Sequence, residues 1–156
     1  QRRARAGMST DGERFAFDPA DEVHARTLAR LDSEQVAWFG TIGRDGFPHA
    51  VPIWFLWRDG RALIMSEPAT AKVRNLRQND RVLLHLEAGH DGEQVTVLRG
   101  TAAISPEPSA AWVDSIGDAY TAKYDAWLQR LGLTTRTMAE KYSVMIEVTP
   151  LTLIAW

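Results

Sequence analysis

The sequence predicts a mainly β protein, an antiparallel barrel of six strands with flanking helices. Short apolar runs with strand-like alternation recur along most of the chain, and helical periodicity is confined to a few stretches. Three Asp-Gly pairs lie between such runs: Asp45-Gly46, Asp59-Gly60 and Asp91-Gly92. Each pair is a strong hairpin signal because glycine readily adopts the positive φ that tight turns need. Strands joined by tight turns are typical of a sheet that closes on itself.

The predicted order is helix, three strands, helix, two strands, a helical region and a last strand. The first helix begins with Asp18 as N-cap and Pro19 as its first residue. A short helix covers 70–78, and the later helical region begins at Pro106, has Gly117 as a candidate break and ends near Gly132. The predicted strands are 36–42, 47–57, 62–66, 82–86, 94–104 and 144–156, the last one bent or at an edge near Pro150.

Composition excludes several classes of function. The chain has 156 residues, a formal net charge of −2 and no cysteine. The charge gives no general basis for binding nucleic acid, and the missing cysteines exclude disulfides, thiolate metal sites and cysteine nucleophiles. No apolar run reaches the roughly 18 residues of a membrane helix, and nothing resembles a secretory signal. We therefore expect a cytoplasmic protein that does not bind membranes.

The chain reads as one domain. We expect residues 1–17 to be a flexible N-terminal segment, with a vector-derived remnant before Met8, and residues 18–156 to form the domain. Arg2, Arg3 and Arg5 in this segment are a candidate nucleic-acid arm, but a vector-derived remnant or a frayed tail is the favoured explanation.

The predicted strand 47–57 is apolar on both faces. Alternate residues of a strand share a face, so one face carries Val51, Ile53, Phe55 and Trp57, and the other carries Ala50, Pro52, Trp54 and Leu56. One face can fill the barrel core. The other then needs a partner subunit, a flat aromatic ligand, or both.

Helix 70–78 carries a cation where a helix normally favours an anion. Val73 and Leu76 form its apolar face, whereas Lys72 and Asn75 share another face. Lys72 lies in the first turn, where free backbone N–H groups attract negative charge, and a bound phosphate would resolve that conflict. Thr70 can cap the helix, and Ser66 adds a hydroxyl at the end of the preceding strand. A solvated basic face is the alternative interpretation.

The sequence has no recognisable catalytic motif. It contains no P-loop, dinucleotide-binding fingerprint, GxSxG elbow or cluster with metal-ligand spacing. His49 and His85 fall in strands, where a single histidine is more often structural than catalytic. We therefore nominate no catalytic residue and no metal site, and favour chemistry carried by an organic cofactor.

Three segments in this order resemble a known family: Thr41–Pro48, Pro52–Phe55 and Thr70–Leu76. They are similar to the split-barrel flavin and deazaflavin oxidoreductases related to pyridoxamine 5'-phosphate oxidase, most of all to the actinobacterial branch that uses coenzyme F-420. The likeness runs from about Leu28 to Trp156. It implies a homodimeric six-stranded split barrel with two cofactor sites at the subunit interface. In that arrangement Lys72 contacts the cofactor phosphate. The implied neighbours of the phosphate are Ser66, Thr70 and Asn75, and the residues along the ring system are Val51, Pro52, Ile53 and Trp54.

The resemblance implies an oxidoreductase that transfers hydride between reduced F-420 and a small unsaturated organic substrate. The sequence leaves three alternatives to this function open. The same fold can bind flavin mononucleotide (FMN), with Arg74 and Arg77 beside Lys72 around a terminal phosphate. It can also serve as a non-catalytic carrier of either cofactor, or handle haem, for which His49 and His85 lack an evident axial-ligand setting.

Overall fold

The computed structural model describes residues 15–156, so the predicted N-terminal arm at Arg2, Arg3 and Arg5 lies outside the described residues. Its helices are α1 (Glu22–Ser33), α2 (Ala71–Leu76), α3 (Ser109–Leu131) and α4 (Thr135–Lys141). Its strands are β1 (Val36–Ile42), β2 (Pro48–Trp54), β3 (Leu56–Arg58), β4 (Arg61–Ser66), β5 (Arg81–His85), β6 (Thr96–Pro108) and β7 (Val144–Ala155). Within this range, no helix combines the length and apolar content needed to cross a bilayer.

The strands form one antiparallel sheet in the order β2-β1-β5-β6-β7-β4-β3, which confirms the predicted fold class. The strand count is seven rather than six, because the predicted strand 47–57 is broken at Phe55 into β2 and β3. These consecutive strands lie at opposite edges of the hydrogen-bonded sheet, so the sheet curls without closing. At the break, the backbone N–H of Phe55 donates to the Tyr124 hydroxyl (2.8 Å) instead of a strand partner.

The Asp-Gly turns lie where the sequence predicts them. Asp59 and Gly60 have φ values of 52° and 74°, and they connect β3 to β4 as the mirror-image turn that suits the twist of a hairpin. Gly46 (φ 83°) turns β1 into β2, and Gly92 (φ 73°) lies in the loop between β5 and β6.

Two hydrophobic cores lie on opposite sides of the sheet, and alternate residues of β4 show the division. Ala62 and Ile64 point into the barrel core, which also receives the apolar sides of α1 and α2. Leu63 and Met65 point outward into a second core under α3 and α4. Both apolar faces of β4 are therefore covered within the same chain.

The helix boundaries differ from the prediction in two places. The N-cap of α1 is Asp21, not Asp18, and its carboxylate accepts hydrogen bonds from the backbone N–H groups of Val23 (2.9 Å) and His24 (3.1 Å). Pro106 belongs to β6, because this strand continues along β7 as far as Pro108 before α3 begins. The helix α3 runs through Gly117 without a break.

The predicted ends of the last two elements are confirmed in part. Gly132 ends α3 in the left-handed conformation (φ 67°), as predicted. Strand β7 lies inside the sheet, not at an edge, and its register shifts near Pro150. The register between β6 and β7 shifts opposite Pro150 at Gly100, where a Cβ atom would collide with the carbonyl of Thr149. A proline is tolerated there because the ladder is already interrupted.

Phe15 and Phe17 lie at the end of the segment that was predicted to be flexible. The Phe17 ring packs edge-on against Trp57 (centroids 5.7 Å apart) and against Phe15 (5.0 Å), and both rings contact the barrel core. The domain boundary near residue 17 stays a prediction.

Candidate functional site

Helix α2 closes one end of the barrel. Val73 and Leu76 are buried in the barrel core, as the sequence predicts. The Thr70 side chain caps the helix by accepting from the Val73 N–H (3.5 Å), which is also the predicted cap. Asn75 Nδ2 donates to the hydroxyl of Thr41 on β1 (3.0 Å) and fixes the helix against the sheet. The helix has six residues and is shorter than the predicted 70–78.

Two hydroxyl groups meet where β4 ends beside this helix. Ser66 is almost fully buried, and its Oγ donates to the backbone carbonyl of Glu67 (2.9 Å). Ser66 Oγ also lies 3.1 Å from Thr70 Oγ1. The structure therefore brings Ser66 and Thr70 together, next to the helix that carries Lys72 and Asn75.

The Lys72 ammonium lacks an anionic partner in the part of the chain that the structure describes. Its side chain is half-buried, and burial lowers its pKa while the nearby Glu67 carboxylate acts in the opposite direction. Among residues 15–156, no carboxylate lies within ion-pair distance of its Nζ atom. A partly desolvated cation without a counter-charge is the feature that a bound phosphate would stabilise.

The four predicted ring-contact residues on β2 divide between two faces. Ile53 is buried in the barrel core and Val51 packs against it, so a ligand outside the barrel would meet their backbone only. Pro52 is exposed on the outer face. Trp54 is half-buried, because its indole stacks on the Tyr124 ring of α3 (centroids 4.6 Å apart, planes at 6°).

The prediction that the whole outer face of strand 47–57 needs a partner or a ligand is therefore wrong for its second half. Leu56 lies in the second core, and Tyr124 covers one side of Trp54. The sequence predicts the helical region that contains Tyr124, but not which face of the sheet this region covers. The outer face of β2 from Pro48 to Pro52 remains uncovered by the described chain.

Strand β2 is an edge strand, and its prolines indicate which backbone groups point away from the sheet. The Gly43 N–H donates to the Phe47 carbonyl (2.8 Å), so Phe47 directs its backbone toward β1. The backbone groups of alternate residues point in opposite directions, so those of Pro48 and Pro52 point away from β1, to the free edge. Proline has no N–H group, but at a free edge no strand partner needs one. This edge offers carbonyl acceptors near the predicted ring contacts.

The sequence predicts that His49 is more often structural than catalytic, and we do not name it as a site residue. It lies opposite Thr41 in the β1–β2 register, so it shares the α2 end of the barrel with the Thr41–Asn75 hydrogen bond. Its buried Nδ1 atom has no hydrogen-bond partner within the described residues. An open groove of about 580 Å³ runs past His49, Asn75 and Arg44. The sequence does carry a signal for this position, because the tight turn predicted at Asp45-Gly46 pairs the residues on either side of it.

Within residues 15–156, no helix covers the outer face of the sheet over β2, β1, β5, β6 and the end of β7. One cross-strand row on this face is formed by Pro52, Trp38, His85, Val97 and Ile154. All five side chains are partly or fully exposed. Trp38 and His85 stack in parallel (6.2 Å, 11°), and the Trp38 indole N–H donates to Glu87 (2.7 Å). In the described chain the helices α3 and α4 cover the other half of the outer face.

A curled antiparallel sheet with a short helix at one end and two helices on its outer face defines a protein of the split-barrel class. The family model described as pyridoxamine 5'-phosphate oxidase matches residues 23–156. The chain therefore belongs to the pyridoxamine 5'-phosphate oxidase family.

Several solved structures share this fold. A conserved hypothetical protein from Mycobacterium tuberculosis is 24% identical with a TM-score of 0.68, over 92% of this chain and 89% of that one. An F420 reductase is 21% identical with a TM-score of 0.61, over 80% of this chain and 93% of its own. A FAD-binding protein from Mesorhizobium loti is 17% identical with a TM-score of 0.60, over 83% and 90%. No curated protein sequence matches this chain.

Proposed function

We propose that this protein is an oxidoreductase that uses the deazaflavin coenzyme F-420 to reduce a small unsaturated organic substrate. The observation that carries this proposal is Lys72, a half-buried ammonium without an anionic partner among the described residues, at the barrel end where Ser66 and Thr70 meet. Family membership and the shared fold of an F420 reductase support it.

The residues at the α2 end fit a phosphate-bearing cofactor. Lys72 would neutralise the phosphate, and Thr70 and Asn75 are already fixed by hydrogen bonds to α2 and to Thr41. The orphaned Nδ1 atom of His49 at the same end is a further polar group that a ligand could satisfy. A bound deazaflavin would supply the hydride chemistry itself.

The residues of the chain itself would bind the cofactor, orient its ring and exclude water from it. The exposed Pro52 and the uncovered side of Trp54 provide an apolar wall for a flat ring, with the backbone of Val51 and Ile53 between them. An apolar wall fixes the ring and keeps water from the reacting atoms, which must approach within about 3–3.5 Å.

We propose that the protein is a homodimer and that the bare half of the outer sheet face is its interface. The row from Pro52 to Ile154 is continuous across five strands and is mostly apolar, whereas isolated domains seldom expose such a surface. The same face borders Pro52 and Trp54, so a second copy would complete the wall of the ring site.

FMN is the second candidate cofactor. Arg74 and Arg77 project from α2 and its C-cap as exposed cations and suit a terminal phosphate. The FAD-binding relative shows that the fold also accommodates flavins. A carrier role, with binding but no turnover, would use the same site.

Parallel titrations with F-420 and FMN distinguish these possibilities. We expect F-420 fluorescence to be quenched with one coenzyme per chain, at a lower dissociation constant than that of FMN. Reoxidation of reduced F-420 by a panel of quinones and enones then separates an enzyme from a carrier. Tight FMN binding without F-420 binding would replace the proposal with the flavin alternative, and binding of neither cofactor would reject both.

A further inference from the structure

An open cavity of about 530 Å³ lies between the end of α1, strand β3 and helix α3. Lys123, Arg58 and Trp57 are among the residues that line it. Ser33 and Asp32 line the side that belongs to α1. None of these residues belongs to the candidate cofactor site at α2.

The Lys123 side chain is anchored, yet one of its N–H groups remains available. Nζ donates to the backbone carbonyls of Phe55 (2.8 Å) and Leu31 (3.5 Å), and it lies 3.7 Å from the centroid of the Phe55 ring. An ammonium group has three donors. Two carbonyls use two of these donors, and the third has no hydrogen-bond acceptor among the described residues, so a ligand beside Nζ would supply one.

Lys123 and Arg58 both lack an anionic partner. Burial lowers the pKa of Lys123 to about 8, although Asp32 and Glu34 act in the opposite direction. Neither of these carboxylates reaches ion-pair distance, and no ion pair of Arg58 occurs in the part of the chain that the structure describes. The Tyr124 ring lies 5.5 Å from Nζ on the other side. A bound anion would compensate the desolvation of this ammonium.

We propose that this cavity is a binding site for a small planar carboxylate, such as an aromatic acid. Lys123 and Arg58 would hold the carboxylate, and the Trp57 indole would contact the flat apolar body of the ligand. Asp32 on the same wall disfavours a second negative charge, so the site is built for a monoanion.

Binding of such an anion is coupled to proton uptake. An anion beside Lys123 raises the pKa of this lysine, so the chain takes up a proton wherever the free amine is populated. At pH 8 this amounts to about half a proton per site, and at pH 6.5 to almost none. The affinity should fall as the pH rises above 8.

Calorimetric titration with benzoate at pH 8, in two buffers of different ionisation enthalpy, tests the proposal. We expect one benzoate per chain, the stated proton uptake, and binding at least tenfold tighter than that of acetate or benzyl alcohol. Equal affinity for acetate would indicate general anion attraction and overturn the aromatic site. Benzoate binding without proton uptake would remove Lys123 from it.

Three variants locate the site. Lys123→Arg should bind benzoate without proton uptake, whereas Lys123→Met and Arg58→Gln should weaken binding at least tenfold. Lys141→Met, on the exposed side of α4, is the matched control and should bind normally. Since Arg58 is exposed, Arg58→Gln should fold even if Lys123→Met does not. Unchanged benzoate affinity in Arg58→Gln, or a loss in Lys141→Met, would contradict the proposal.

Discussion

At the scale of single residues, a half-buried lysine lies at the centre of each of the two proposed sites. Lys72 and Lys123 each lack a carboxylate partner within the described chain, and burial lowers the pKa of both. An interior ammonium without a counter-charge is unfavourable for the free protein. We therefore expect that binding of an anion beside either lysine raises the free energy of unfolding.

Substitution of Lys72 should weaken cofactor binding. A charge-assisted hydrogen bond contributes roughly 1.5–3 kcal/mol, so Lys72→Met should raise the dissociation constant for F-420 about ten- to a hundredfold. Isothermal titration measures this change, with the exposed Lys141→Met as control. An unchanged dissociation constant in folded Lys72→Met would exclude Lys72 from the site.

Lys123 should make folding stability depend on pH. Its folded-state pKa of about 8 is below its ordinary value of 10.5, so between these pH values the unfolded chain binds more protons. The free energy of unfolding contributed by this group therefore rises with pH across that window. Urea unfolding at pH 7.5 and 9.5 should show a larger rise for the wild type than for Lys123→Met. The same rise in both proteins would contradict the account.

At the scale of elements, the break between β2 and β3 is maintained by α3. The Tyr124 hydroxyl accepts from the Phe55 N–H (2.8 Å) and donates to the Gln35 carbonyl (2.6 Å), while Lys123 donates to the Phe55 carbonyl (2.8 Å). Side chains of a helix thus replace the strand partner that Phe55 lacks. Because the Tyr124 ring also stacks on Trp54, the position of α3 determines the shape of the apolar wall.

Tyr124→Phe should destabilise the protein by about 1–3 kcal/mol, because it leaves buried backbone groups of Phe55 and Gln35 without partners. Chemical denaturation measures the change. Tyr142→Phe, at the less buried end of α4, is the control and should alter stability by less than about 0.5 kcal/mol. Equal effects of the two substitutions would show that the Tyr124 hydroxyl has no special role.

Features that depend on neighbouring residues are predicted from the sequence, whereas features that depend on distant residues are not. The turn at Asp59-Gly60, the cap at Thr70 and the apolar face of α2 depend on neighbouring residues, and the sequence predicts them. The break at Phe55 depends on a hydroxyl 69 residues away, so a local pattern of alternating apolar residues reads as one strand. For the same reason the sequence did not show that α3 covers part of the outer face.

At the scale of the whole molecule, the outer face of the sheet is divided into a half that α3 and α4 cover and a half that is bare. Val97 lies near the middle of the bare row. Val97→Asp should convert the proposed dimer into a monomer, because a buried unpaired charge at an interface costs several kcal/mol. Light scattering after size-exclusion chromatography measures the mass. Ala126→Asp on the exposed side of α3 is the control, and a wild-type protein that is already monomeric would contradict the interface.

The crystal structure of the protein with F-420 tests the central claim most directly. We predict two coenzymes per dimer, each with a phosphate oxygen within hydrogen-bond distance of Lys72 Nζ and its ring against Pro52 and Trp54. The partner subunit should complete the far wall of that slot. A coenzyme bound away from α2, or held by one chain with no contribution from a second, would contradict the account.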